Sequence, residues 1–421
     1  MKSFRTYITS VVAYWVVFNA DLVLAEEWPQ FRGPTGQGIS SATNMPVEWN
    51  SKRNVVWKIP LPGQGWSSPV VAGERVYLTA AVEMQDQQGA VVSLIVQCID
   101  AANGRLLWQT EVFRPGQDQT RVMHQKNSLA SPTPIVGADR LFVHFGHMGT
   151  AALDLNGKVL WRQTSLKYSP VHGNGGSPML VGDLLVFNCD GANDPFVVAL
   201  DAASGTVRWK TPRNTPSFKT FSFSTPIEID VNGDRQIVSA GSGFVGSYNK
   251  ETGREIWRVR YGEGYSIVPR PIYAAGLLFV CSGYDGPVLL AINPVGATGD
   301  VTGSKVVWTL QRGIPLTPSL LAVGQEIYLI SDRGIAKCLD AKTGKIHWDQ
   351  RLGGEFSASP LYADGRVYFQ SEDGVGIVVK AGKTFELLAR NDLEEPTLAS
   401  YAVADRAFII RSKSHLWRIG K

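Results

Sequence analysis

Cysteine is scarce in this chain: there are four among 421 residues, at positions 98, 189, 281 and 338, and no two are adjacent. No Cys/His spacing suited to zinc occurs, and no G-x-S-x-G that would set a serine nucleophile on a strand-to-helix elbow. Charge of one sign is missing too. Lys and Arg number 41 against 37 Asp and Glu, a formal net charge of +4. With no basic cluster standing out, that balance argues against a nucleic-acid partner. Long apolar runs are absent: the stretch from Tyr7 to Phe18 falls well short of the ~20 residues a membrane span needs. Lys2 and Arg5 precede that stretch, and small residues close it at "VLA", ending at Ala25. This reads as a secretory signal cut after Ala25, hence an exported protein, periplasmic or extracellular. No cysteine follows the cut, so no lipid anchor is expected there.

What the chain does have is repetition. "QCIDAANGRLLW" (Gln97 to Trp108), "VALDAASGTVRW" (Val198 to Trp209), "GSYNKETGREIW" (Gly246 to Trp257) and "KCLDAKTGKIHW" (Lys337 to Trp348) are near copies, and "AALDLNGKVLW" (Ala151 to Trp161) is one residue shorter. Each follows a run such as "SSPVVAGERVYLTA" (Ser67 to Ala80) or "SPLYADGRVYFQSE" (Ser359 to Glu372). Short β-rich runs divided by Gly and Asp turns are strands in hairpins, and the alternation in "RVYLTA" buries one face. The Gly supplies the positive φ a tight turn needs, the Asp braces the turn, and the Trp fills the gap between neighbouring sheets. Four strands per unit, A to D, recurring every ~40–50 residues, predict a β-propeller.

Trp108, Trp161, Trp209, Trp257, Trp308 and Trp348 mark six units, and a seventh spans Ser357 to Leu393. An eighth stops after its third strand, while "NVVWKIPL" (Asn54 to Leu61) is an orphan with Trp57 in the strand D position. The orphan should complete the last sheet, because closing the ring removes exposed strand edges. The expected organisation is therefore a signal peptide at 1–25, an extended leader at 26–53, and a single all-β, eight-bladed propeller at 54–421. The leader, Gly- and Pro-rich at "EEWPQFRGPTGQGISS", is expected to lie over a blade. Insertions fall in blade 1 (Val82 to Ser93) and blade 5 (Asn293 to Lys305). Cys98 matches Cys338 and Cys189 matches Cys281 in repeat register, in non-adjacent blades too far apart for a disulfide, so four free buried thiols are expected.

Phrases of the form LDAxTGKxxW resemble the repeats of the pyrroloquinoline-quinone (PQQ) propeller superfamily, over the chain from about Asn54 to Lys421. The leader "WPQFRGPTGQG" and "GWSSPVV" (Gly65 to Val71) look like those of exported propeller proteins of planctomycete-type bacteria. The resemblance implies one of two functions. Quinoprotein alcohol dehydrogenases hold PQQ and calcium at the ring axis, whereas BamB-like proteins are inert scaffolds for outer-membrane protein assembly. The dehydrogenases carry adjacent cysteines, absent here, and no match to their calcium-ligand and catalytic-Asp segments is found. The repeat residues themselves are structural, so function must come from the site.

Weaker motifs read as turns. "GSGFVG" (Gly241 to Gly246) lies between strands rather than between strand and helix, as a dinucleotide fingerprint requires. "DVNGD" (Asp230 to Asp234) lacks the further acidic ligand of a calcium loop and suits an Asn-Gly hairpin. His144 and His147 sit three apart at the end of a strand and read as surface or turn residues, not a metal pair.

The D–A and B–C loops share one face of the disc and are longer and more varied than those opposite. The D–A segments lead into the innermost strands and so crowd the axial mouth, where a rigid scaffold concentrates functional residues. The candidates there are His124, Lys126, Asn127, His172, Asn174, Tyr265, Arg270, Arg312 and Glu355. Asp190, Asp285 and Asp373 read as Asp-Gly turn residues. Such a mouth suits a protein partner or a small polar ligand. The reading is a monomeric, non-catalytic binding or scaffold propeller without metal or cofactor. The alternative is a periplasmic PQQ-dependent dehydrogenase, for which PQQ and calcium would be needed.

Overall fold

The computed structural model describes residues 27–86, 89–121 and 123–420. The expected signal peptide, residues 1–25, lies outside the described residues. Eight sheets, each built on four antiparallel strands, follow one another in chain order, as the repeat count predicts. Blade 1 is built of Val70–Ala72, Arg75–Asp86, Gly89–Asp100 and Leu106–Phe113, with its insertion lengthening the second and third strands. Blade 8 takes Ala402–Ala404, Ala407–Arg411 and His415–Ile419 from the end of the chain and Val55–Pro60 from its start. Val55 faces Ile419 and Pro60 faces His415, so the orphan strand closes the ring.

The recurring Trp and Gly hold one blade to the next. Trp161 Nε1 donates to the Ala202 carbonyl in the C–D turn of the following blade, at 3.0 Å. Trp57, Trp108, Trp209, Trp308 and Trp348 make the corresponding bond to Ala101, Leu155, Lys250, Ala341 and Gly382. The indole lies flat on the turn glycine. At Gly205 φ is +73°, and a Cβ would sit 2.5 Å from the Trp161 ring. Glycine is thus required there twice, by backbone conformation and by the approach of the neighbouring ring. The Asp of the phrase does the bracing expected of it, as Asn249 does in blade 4: Asp340 Oδ1 accepts from the Lys342 and Thr343 amides, and Asn249 Oδ1 from the Thr252 amide.

Trp257 departs from this rule and bonds Gln236 of its own blade. The blade 5 insertion takes the place of the short turn it would meet. Gly299–Asp300 of that insertion runs parallel to Trp257–Arg258 and adds a fifth strand to blade 4.

The cores lie between sheets. Val70, Tyr77, Leu94 and Val96 of blade 1, for example, pack on Leu141, Val143 and Ala151 of blade 2. All four cysteines are free and buried in these layers. His144 is buried too, its ring tilted against Phe187 at 4.4 Å with its Nδ1 on the Thr150 hydroxyl, which corrects the surface reading of that residue.

The leader does not lie over one blade. Trp28 pairs with Val71 of blade 1, and the Pro29 carbonyl accepts from Val136 of blade 2. Within two residues the chain has crossed the axis: the Phe31 carbonyl accepts from Arg270 of blade 5, and Arg32 reaches the Leu320 carbonyl of blade 6. Ile39 then pairs with Tyr362 of blade 7, and the Trp49 amide donates to Asn391. Residues 28–39 thus run along the innermost strands, and the Met45 amide reaches Asp364 in the A–B turn of blade 7, so the leader floors the axial channel at the face opposite the long loops. No helix among the described residues is long and apolar enough to cross a membrane.

Candidate functional site at the axial mouth

The channel above the leader is a cavity of roughly 330 Å³, with Phe31 in its floor and the D–A loops around its mouth. Its wall is a ring of hydroxyls set one residue before a proline in most blades. The Ser68 amide donates to Thr133 Oγ1, Thr133 to Ser177, and Ser177 to Thr225, at 2.9–3.0 Å. On the other side Ser319 donates to Ser359, Ser359 to Ser400, and Ser400 back to Ser68, at 2.9–3.1 Å. Blade 5 breaks the ring: Arg270 occupies its hydroxyl position and donates its amide to Ser319 at 3.0 Å. The signal was visible in sequence as Ser-Pro or Thr-Pro opening strand A, in "SSPVV", "SPTPIV", "GGSPML" and "FSTPIE"; "VPRPIY" keeps the proline without the hydroxyl, and Ser319 and Ser400 keep the hydroxyl without the proline.

Above the ring runs an arc of rings. His124 meets His172 edge to face at 5.5 Å, His172 meets Phe221 at 5.4 Å, and Phe221 meets Tyr265 at 5.4 Å. Tyr265 continues to Tyr284 at 6.2 Å, and its hydroxyl donates to Asp285 at 2.9 Å. Asn127 Nδ2 ties the first two loops by donating to the His172 carbonyl, and its Oδ1 accepts from the Ser128 amide. Burial, and secondarily the neighbouring His124, lowers the pKa of His172, so proximity disfavours a second imidazolium.

Lys126 crosses the opening. Its ammonium, from the loop before blade 2, bonds Glu372 in the B–C turn of blade 7 at 2.8 Å. Ser357 Oγ also donates to that carboxylate, at 2.6 Å. Burial alone would lower the Lys126 pKa, but Glu372, with Asp332 and Glu355 beyond it, outweighs burial and holds it above the usual value.

Five of the nine expected residues therefore line the cavity: His124, Lys126, Asn127, His172 and Tyr265. Asn174 does not. It is buried behind the loop, accepting from the Tyr168 hydroxyl at 2.9 Å and contacting His147 Nδ1 at 3.1 Å. Arg270 points to the floor, its guanidinium on the carbonyls of Pro226, Phe31 and Gly36. Arg312 and Glu355 are exposed outside the lining. Among the B–C acids, Asp190 is more than a turn residue. It is fully buried against Arg213 at 2.7 Å, and burial pushes its pKa up to about 6 against the pull of that guanidinium. Trp66, Phe223 and Tyr284, also in the lining, carried no sequence signal beyond their place in or beside these loops.

The family model described as outer membrane protein assembly factor BamB matches residues 39–193, 91–220, 193–334 and 295–384. The chain belongs to this family. BamB of Yersinia pestis is 23% identical over 367 residues, covering 82% of this chain and 77% of the relative. The solved BamB structure from Moraxella catarrhalis superposes with a TM-score of 0.54 at 18% identity, over 78% of this chain and 99% of that one, a likeness of fold. A lanthanide-dependent methanol dehydrogenase of Methylorubrum extorquens is 29% identical over 236 residues, which cover 49% of this chain and 34% of that enzyme.

The axis of this BamB-family propeller does not fit the calcium that accompanies PQQ. The lining holds no Asp or Glu. Among the described residues no group of three or more His, Cys, Asp or Glu could hold a metal ion. Calcium takes six to eight oxygen ligands with carboxylates among them, which this wall does not offer.

Proposed function

We propose that this chain is an exported, monomeric scaffold propeller without catalytic chemistry of its own, engaging a protein partner through its loop-rich face. The observation that carries the reading is Phe218. It stands 94% exposed on the D–A loop before blade 4, on the same loop as Phe221 of the aromatic arc. Aromatic anchors beside a partly apolar rim are what protein interfaces use as hot spots. The family relationship to outer membrane protein assembly factors supports the same reading, and the methanol dehydrogenase likeness is the basis of the alternative.

The test is photo-crosslinking in the source cell from a benzoylphenylalanine at position 218, against one at position 233 in the A–B turn of blade 4. A discrete protein adduct is expected from 218 alone, weakened by Tyr265→Ala. Equal or absent adducts at the two positions would overturn the proposal. Dye reduction by purified protein supplied with PQQ and calcium would replace it with the dehydrogenase reading.

A further inference from the structure

The hydroxyl ring has an asymmetry in its hydrogen bonding. Each of its seven oxygens accepts a backbone N–H from the preceding blade. Among the described residues none of the seven donates its own hydrogen to another protein atom, and all seven line the cavity. The wall is therefore rich in O–H donors with nowhere to go, and it contains no carboxylate that could accept them.

Directly beneath lie two guanidinium groups without a counter-ion. Arg270 donates its amide into the ring and sends its side chain down to the leader. Arg32 is 2% exposed, and its Nη2 reaches the carbonyl of Leu320, the residue after the ring's Ser319. Its Nε and Nη1 have no partner. Neither arginine is paired with a carboxylate among the described residues, and burial pulls both pKa values down to about 9, with the Arg270 charge adding to the effect on Arg32. A buried cation without an anion is costly, and two side by side are costlier.

We propose that the axial cavity is a binding site for a small oxyanion of the carboxylate or phosphate class. Such a ligand carries several acceptor oxygens and no donors. It can take hydrogens from more than one ring hydroxyl, while the positive potential of Arg32 and Arg270 compensates its charge from below. A polyol could use the same hydroxyls but would leave the positive potential beneath uncompensated. The leader seals the lower end, so the anion enters from the mouth, beneath the Lys126–Glu372 bridge. The site stands apart from partner binding at Phe218, and either can fail without the other.

The experiment is calorimetric titration of the full mature protein with inorganic phosphate, sulfate and acetate, each against chloride at matched ionic strength. One saturable site is expected for at least one oxyanion, with a raised melting temperature. Phosphate and sulfate binding without acetate would assign the phosphate class, and the reverse the carboxylate class. Thr225→Val keeps the volume and removes one ring hydroxyl; it should weaken binding about tenfold, as loss of a hydrogen bond to a charged group does. Arg32→Met should weaken it at least as much. If Arg32→Met does not fold, Thr225→Val decides. The proposal is overturned if all three oxyanions behave as chloride does, or if Thr225→Val binds as tightly as the parent.

Discussion

At the scale of single residues, the contact between Gly205 and Trp161 is where the fold is most sensitive. Gly205→Ala forces a Cβ into the indole and strains a positive φ, and should cost about 1–3 kcal/mol in urea unfolding. In a Trp161→Phe background the cost should shrink, because the ring has withdrawn; strictly additive losses would show that the two do not touch. His144 makes the chain acid-sensitive. Burial pulls its pKa down to about 3, from an ordinary value near 6.5. Between those two values the unfolded chain holds a proton that the folded one refuses, so stability rises with pH across the window and is lost as pH falls through it. The loss should reach ~2–3 kcal/mol by pH 4.5. His144→Gln should flatten the fall in melting temperature between pH 7 and 4.5, and an unchanged slope would remove His144 as its source. The same scale shows why the site was half legible. His124, His172 and Tyr265 could be read because their loops feed innermost strands. Arg270 looked like one more loop cation, and nothing local reveals that its partner is a carbonyl 239 residues away.

At the scale of the strand, the repeat phrases carried nearly all the architecture, since each residue of the phrase has a duty that recurs from blade to blade. What they could not carry were the two departures: the inserted Gly299–Asp300 that lengthens blade 4, and the turned indole of Trp257 that goes with it. Both depend on an insertion carried by the next unit, and a pattern within one unit does not encode them. The closing strand is the element on which the ring depends. Removing Asn54–Leu61 would leave His415–Ile419 an unpaired edge. The variant should lose its cooperative melt or run as an oligomer on size exclusion. A monomer with the parent's melting curve would refute closure by this strand.

For the whole molecule, the leader does what no blade can, joining sheets on opposite sides of the axis. Trp28 is its anchor, 1% exposed against Val71 and the blade 1 core. Trp28→Ala should cost about 3–5 kcal/mol, as loss of a buried Trp does. It should also open residues 27–45 to limited proteolysis while the blades stay resistant. If the leader remains protected, its hold on the ring lies elsewhere along the segment. Blade 8 takes one strand from the beginning of the described chain and three from its end. While the polypeptide is being made, Val55–Pro60 emerges among the first strands and waits unpartnered until His415–Ile419 arrives. Seven sheets can form in succession as they appear, but the circle cannot be sealed before the final strand is present. Non-local pairing of this kind is slow, and an open edge in the interval is exposed to association. Whatever keeps the newborn chain from aggregating must act from the emergence of Val55–Pro60 until His415–Ile419 arrives.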